Sequence, residues 1–301
     1  LIYLIGNENN YGLFWDNKSL DLASIRNKES APNTMAMYKL FLMNQGKKKE
    51  QSQSAELEDD TKSILRAKAM YSLMNEAAEL IKSKDENHPV AISNGALMFL
   101  DIIKEECTGV DIFGTNIYRG ISFGDSFQRV KSTLNKPILF TEFGADAYND
   151  ISQREDQELQ AYYLKGNLKE IYANADGVGG ARNCLGGVTF EFSDDWWKTG
   201  RTENLDIHDN GASWSSDAYF QDYEKGKNNM NEEWFGICSK SRVEKKNRYK
   251  LRPRAAYFLL KEVHQFKTYS ESSSLVELEK LFSEISIERA KQNSMEFKGF
   301  D

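Results

Sequence analysis

Apolar positions along the chain follow two patterns. Five short runs rich in β-branched and aromatic residues occupy positions 1–5, 90–92, 110–117, 138–141 and 188–192. Their near-continuous hydrophobicity predicts strands buried on both faces, as in a parallel sheet. Between them lie helix-period stretches. The longest covers 61–84, with Leu65, Ala69, Leu73, Ala77, Leu80 and Ile81 on one predicted stripe. Others cover 97–106, 125–134, 153–172 and 253–265, the last with Pro253 suited to a first helical position. Repeated strand–helix alternation predicts an α/β protein with a parallel sheet.

Two stretches exceed the needs of a minimal βα repeat. Residues 16–60 are polar and charged, with the run Gly46-Lys47-Lys48-Lys49, and read as a solvated excursion. Residues 193–251 are aromatic and rich in Asn and Asp, and read as part of a site, since long loops are commonly functional. After residue 268 a Ser-rich linker leads into an amphipathic run over 275–290.

Composition narrows the function. The 301 residues are 40% hydrophobic and 28% charged, enough for a sizeable core. A net charge of −7 gives no basic footprint for nucleic acid. No apolar run approaches the roughly 18 residues of a membrane span. Cys107, Cys184 and Cys238 are odd in number and widely spaced, and read as buried thiols, not a disulfide framework. The three histidines leave little for a zinc site, and His208 with Asp206 and Asp209 matches a metal cluster only loosely. Neither a metal nor an organic cofactor is expected. The chain opens at Leu1 inside an apolar run, and is read as a piece of a longer polypeptide.

Two carboxylates stand at the ends of separate predicted strands: Glu8 in Leu4-Ile5-Gly6-Asn7-Glu8-Asn9, and Glu142 in Ile138-Leu139-Phe140-Thr141-Glu142-Phe143-Gly144. In a parallel α/β barrel the loops after the strand C-termini build the active site. Hydrolysis of a glycosidic bond with retention uses two carboxyls about 5–5.5 Å apart. One attacks the anomeric carbon. The other protonates the leaving oxygen and later activates water.

Asn7-Glu8, Asn116-Ile117-Tyr118 and Thr141-Glu142-Phe143-Gly144, in that order, resemble strands four, six and seven of the retaining (β/α)8 glycosidases. Over residues 1–265 the chain is most similar to the catalytic TIM barrel of glycoside hydrolase family 2, which holds β-galactosidases, β-glucuronidases and β-mannosidases. The resemblance implies Glu8 as acid/base and Glu142 as nucleophile, with Asn7 on the sugar 2-hydroxyl. Asn116 would belong to the sugar site, and Tyr118 would orient Glu142 and keep it ionised. Glu8 would rest protonated, so the two pKa values must be pushed apart. Residues 187–194 are similar to the family's final strand, where Phe190 stands in place of a sugar-stacking Trp; Trp196 or Trp197 would supply the platform instead. Glu191, Asp194 and Asp195 are candidates for sugar hydroxyls or an ion, beside the plainer reading of such an acidic cluster as solvated loop residues.

By the same resemblance, residues 1–268 are the C-terminal part of a TIM barrel, strands four to eight, and 269–301 a linker opening a further module. The upstream part of the polypeptide would be needed to close the barrel. Without it the chain is expected to expose apolar sheet edge and to be inactive. The implied substrate is a β-linked oligo- or polysaccharide, compatible with a secreted or periplasmic home. Two alternatives stay open: a β-glucan transglycosylase, to which Phe113-Gly114-Thr115-Asn116-Ile117-Tyr118-Arg119-Gly120 has some likeness, and a carbohydrate-binding pseudoenzyme.

Overall fold

A computed structural model describes residues 1–15, 59–198, 208–243, 248–266 and 274–298. The predicted excursion over 16–60 and Asp206 lie almost wholly or wholly outside them. The elements run β1 (Tyr3–Ile5), α1 (Gly12–Trp15), α2 (Asp59–Lys82), β2 (Val90–Gly95), α3 (Leu100–Glu106), β3 (Ile112–Asn116), α4 (Ser126–Leu134) and β4 (Ile138–Phe143). A small hairpin follows, β5 (Tyr148–Asn149) and β6 (Arg154–Glu155), then α5 (Gln157–Ala173) and β7 (Cys184–Thr189). A 3-10 turn at Glu232–Trp234 precedes the hairpin β8 (Cys238–Val243) and β9 (Arg248–Pro253), and α6 (Ala255–Val263), α7 (Leu275–Glu284) and α8 (Ile287–Glu296) close the chain.

The protein is α/β. Its main sheet has the order β1-β2-β3-β4-β7, the small hairpin β5–β6 lying outside it. That is the order of successive units of a (β/α)8 barrel. The β1–β2 and β2–β3 pairs are parallel, with Tyr3 opposite Val90 and Ala91 opposite Ile112.

The chain divides into two compact units. The first, Leu1–Asn116 with Gln128–Leu139, contains β1 to β3. Strands β2 and β3 are buried at every position, as their apolar runs predict. β1 is not: Tyr3 and Leu4 are exposed, and among the described residues β1 is an edge strand with β2 as its one neighbour in the sheet. Helix α2 buries Ala67, Ala69, Met70, Tyr71 and Ala78; of the predicted stripe Ala69 is buried, Leu65, Leu73, Ala77 and Ile81 are partly buried, and Leu80 is exposed. Apolar residues occur almost all round this helix, so period alone did not select a face. The small side chains at 67 and 78 let the buried face approach closely.

The second unit, Ile117–Phe127 with Phe140–Asp301, begins its core with Phe123, which stacks on Phe140 at 3.9 Å and meets Phe143 edge-on. A second cluster gathers Ala145, Leu159, Tyr163, Tyr219, Met230 and Phe235. Helix α5 starts at the Asp156 cap, whose carboxylate accepts from Leu159 N. Strand β7 lies earlier than the predicted run at 188–192. Gly186 and Gly187 dilute its hydrophobicity, and Gly187 packs directly under Phe143 and Ile171. Pro253 does not open a helix; it ends β9 opposite Cys238, and α6 starts two residues later. The run over 275–290 is two helices, broken where Ser286 caps α8 through Arg289 N. No described helix is long and apolar enough to cross a membrane.

Candidate active site

In the first unit, Gly6-Asn7-Glu8 follows β1. Gly6 takes φ +72°, and a Cβ there would lie 2.0 Å from Asn9 Oδ1, so the turn requires glycine. Glu8 holds φ +51°, a left-handed conformation that side-chain-bearing residues seldom adopt. Its N–H donates to Ser93 O at 2.9 Å. Such conformations persist where the surroundings over-determine them, and they concentrate at functional sites.

Three side chains orient the turn. Asn7 Oδ1 accepts from Ser93 Oγ at 3.1 Å and from Asn116 Nδ2 at 3.0 Å. Two donors on one oxygen fix which way that amide faces, on a residue that is exposed. Asn116 Nδ2 also donates to Glu8 Oε1 at 3.1 Å, and Asn116 is 2% exposed. It holds the other two from beneath. Ser93, which the sequence reading did not single out, also donates to Asn116 Oδ1 at 3.2 Å.

In the second unit, Glu142 lies near the end of β4, half-buried. Tyr118 OH donates to Glu142 Oε2 at 2.9 Å. A hydrogen bond given to a carboxylate favours its ionised form. The Tyr118 ring is fixed edge-on by Phe190, Trp214 and Phe235, with centroids 6.4, 6.1 and 5.5 Å away. Gly144 completes the Thr-Glu-Phe-Gly motif for a steric reason: a Cβ there would meet the Phe190 carbonyl oxygen at 2.1 Å. Phe190 N in turn donates to Phe143 O at 2.8 Å. The glycine thus lets the segment after β7 press against the end of β4.

Beyond Phe190, Glu191 is pushed up to about 8 by burial, then by the charge of Asp195 and a hydrogen bond with it. The Lys198 ammonium sits 4.8 Å over the Phe190 ring and 5.1 Å over Trp197.

No protein-family model matches the chain, and no curated protein does. Among solved structures it is similar to Bacteroides uniformis beta-glucuronidase 2, there covalently bound to cyclophellitol-6-carboxylate aziridine, at 14% identity and a TM-score of 0.39 over 70% of this chain and 22% of that one. It is similar to a putative beta-galactosidase from Bacteroides fragilis at 13% identity and TM-score 0.39, over 66% of this chain and 26% of that one. An active-site mutant of Rhizomucor miehei beta-1,3-glucanosyltransferase, in complex with laminaritriose, shares 12% identity at TM-score 0.33, over 57% of this chain and 53% of that one. All three are named for action on glycosides. The chain spans about a quarter of the length of the two Bacteroides proteins and about half of the Rhizomucor one.

The expected platforms differ in access. Trp196 is 5% exposed and packs against His208 and Tyr249, so its faces are not open to a sugar; Trp197 is 58% exposed. Asp194, expected among residues for hydroxyls, is fully buried and paired with Arg254. His208 stacks on Trp234 at 4.1 Å, and among the described residues no group of His, Cys, Asp and Glu is arranged to hold a metal. The three cysteines are buried, and burial raises each thiol. Arg254 itself was missed. In sequence it is one more arginine before a helix, with nothing local to show that its partners lie 60 and 99 residues away.

Proposed function

We propose that this chain carries the paired carboxylates of a retaining β-glycosidase, with Glu142 as nucleophile and Glu8 as acid/base. The observation that carries the reading is the hydroxyl of Tyr118 donated to Glu142 Oε2 at 2.9 Å, in a ring of aromatic side chains near the end of β4. A nucleophilic carboxylate needs to be ionised and held in one orientation, and this contact serves both ends. Support at Glu8 comes from its left-handed backbone and from Asn116, which orients its carboxyl. Glu8 follows β1 and Glu142 stands at the penultimate position of β4, and in a parallel α/β barrel the strand C-termini and the loops after them build the active site.

In this mechanism Glu142 attacks the anomeric carbon while Glu8 gives its proton to the leaving oxygen. A glycosyl ester forms on Glu142. Water, deprotonated by Glu8, then attacks the same carbon and releases Glu142 as carboxylate. Asn7 Nδ2 donates to the sugar 2-hydroxyl, Asn116 positions Asn7 and Glu8, and Phe190 with Trp197 faces the sugar. Glu191 belongs to the same rim. The substrate class is a β-linked oligo- or polysaccharide, and family 2 is the nearest pattern in the motifs. A transglycosylase would use the same ester and differ only in the acceptor.

A 2-deoxy-2-fluoro β-glycoside with a good leaving group, given to the full-length polypeptide, should leave a stable ester on Glu142, read by peptide mass spectrometry. Glu142→Ala should abolish both label and turnover. Label on another residue, or an active Glu142→Ala, refutes the assignment.

A further inference from the structure

Arg254 at the start of α6 is fully buried, yet it is the centre of an ion cluster. Its Nη1 and Nη2 donate to Asp194 Oδ1 at 2.6 Å and Oδ2 at 2.8 Å, and its Nε to Glu155 Oε1 at 2.6 Å. The guanidinium also lies 5.4 Å from the centre of the Trp234 ring. As a stability device this is a poor choice. Desolvating such charges costs several kcal/mol, and apolar side chains of like volume commonly serve as well or better. What a bidentate pair supplies is fixed geometry.

The geometry it fixes is that of Gly236, through the two peptides that flank it. Gly236 N donates to Asp194 Oδ1 at 3.0 Å, and Gly236 O accepts from Arg254 Nη1. The neighbouring Phe235 carbonyl accepts from Glu191 N at 3.2 Å and Gln160 Nε2 at 3.3 Å. The Phe235–Gly236 peptide is therefore held at both its carbonyl and its N–H, and the Phe235 ring stands edge-on to Tyr118 at 5.5 Å and 86°. Tyr118 is the donor to Glu142.

We propose that Arg254 and Asp194 are positioning residues for Glu142, acting through the clamped Gly236 peptide and the edge of Phe235 against Tyr118. This rests on the reading of Glu142 as nucleophile. Arg254→Lys keeps the charge and loses the fork. Phe235→Leu leaves the ion cluster intact and removes the ring edge, so it tests the same relay without disturbing the buried charges.

Both variants are made in the full-length polypeptide with 3-fluorotyrosine at position 118. Each should move the fluorine resonance and lower kcat about 10- to 100-fold with KM within about twofold, the size expected when a reacting group is displaced by roughly an ångström. A folded Phe235→Leu protein with an unmoved resonance and normal kcat overturns the inference, whatever Arg254→Lys does. A protein that shows the resonance shift but never takes label on Glu142 overturns the nucleophile reading instead, and with it the catalytic meaning of the clamp.

Discussion

At the scale of single residues, Glu191 gives the clearest titration. Its folded pKa of about 8 lies above the ordinary carboxyl value, and burial is the main cause. For an acid raised on folding, the native state binds the extra proton, so stability falls as pH rises from about 4.5 to about 8. Glu191→Gln removes the titration and keeps an amide to donate to Asp195. It should be neutral near pH 4.5 and stabilising above pH 8, by about 1–2 kcal/mol after discounting for partial exposure and solvent screening. Urea unfolding at several pH values checks this; a difference that stays flat across the window would contradict it. Asp146 is raised in the same direction by burial, but its oxygens accept from Asn231 N and Tyr148 N, so its carboxyl stitches the loop at 231 to the segment after β4.

At the scale of elements, what the sequence made legible follows physical locality. β2 and β3 are buried at every position and open on apolar residues, and both lie within the predicted runs or extend them by a few residues. Glu8, Asn116, Tyr118 and Glu142 stand out as candidates because each lies at or just past a strand end in a short recognisable pattern. β7 was misplaced because glycine removes the hydrophobic signal while leaving the backbone free to pair. The predicted stripe of α2 is only partly the buried face, because periodicity discriminates weakly when apolar residues surround the axis. The Arg254 cluster was invisible because its members are drawn together only by tertiary structure. The tail shows the same limit. Its two helices pack on α5 and α6, with Phe282 buried against Tyr172 and Phe266 at 6.0 and 5.3 Å, and Lys165 Nζ donating to Ile285 O at 2.8 Å. Phe282→Ala should cost about 3–5 kcal/mol, as for other buried aromatic truncations, and lower the midpoint for the surrounding helices as well. A separate unfolding step confined to 274–298 would instead mark the tail as an independent module.

At the scale of the whole molecule, the two edges of the main sheet govern behaviour in solution. β1 presents Leu4 at 51% exposure, and β7 presents Val188 at 60%, with Leu185 and Phe192 also exposed. Edge strands carry unpaired backbone donors and acceptors, and natural edges are commonly blunted with lysine, proline or a covering segment. Here apolar side chains flank edges that have no further strand beside them among the described residues, the combination that drives association. The chain on its own should therefore self-associate with rising concentration, as read by sedimentation velocity, and Leu4→Lys with Val188→Lys should reduce that association severalfold while leaving the circular dichroism unchanged. In a polypeptide that carries the three further βα units implied by the resemblance, both positions become interior. The same two lysines should then destabilise, because a charge without a partner is costly in an apolar interface. A sign change between the two settings is the expected result. Equal behaviour in both would mean that these edges face solvent in the native protein and that the barrel is not closed there.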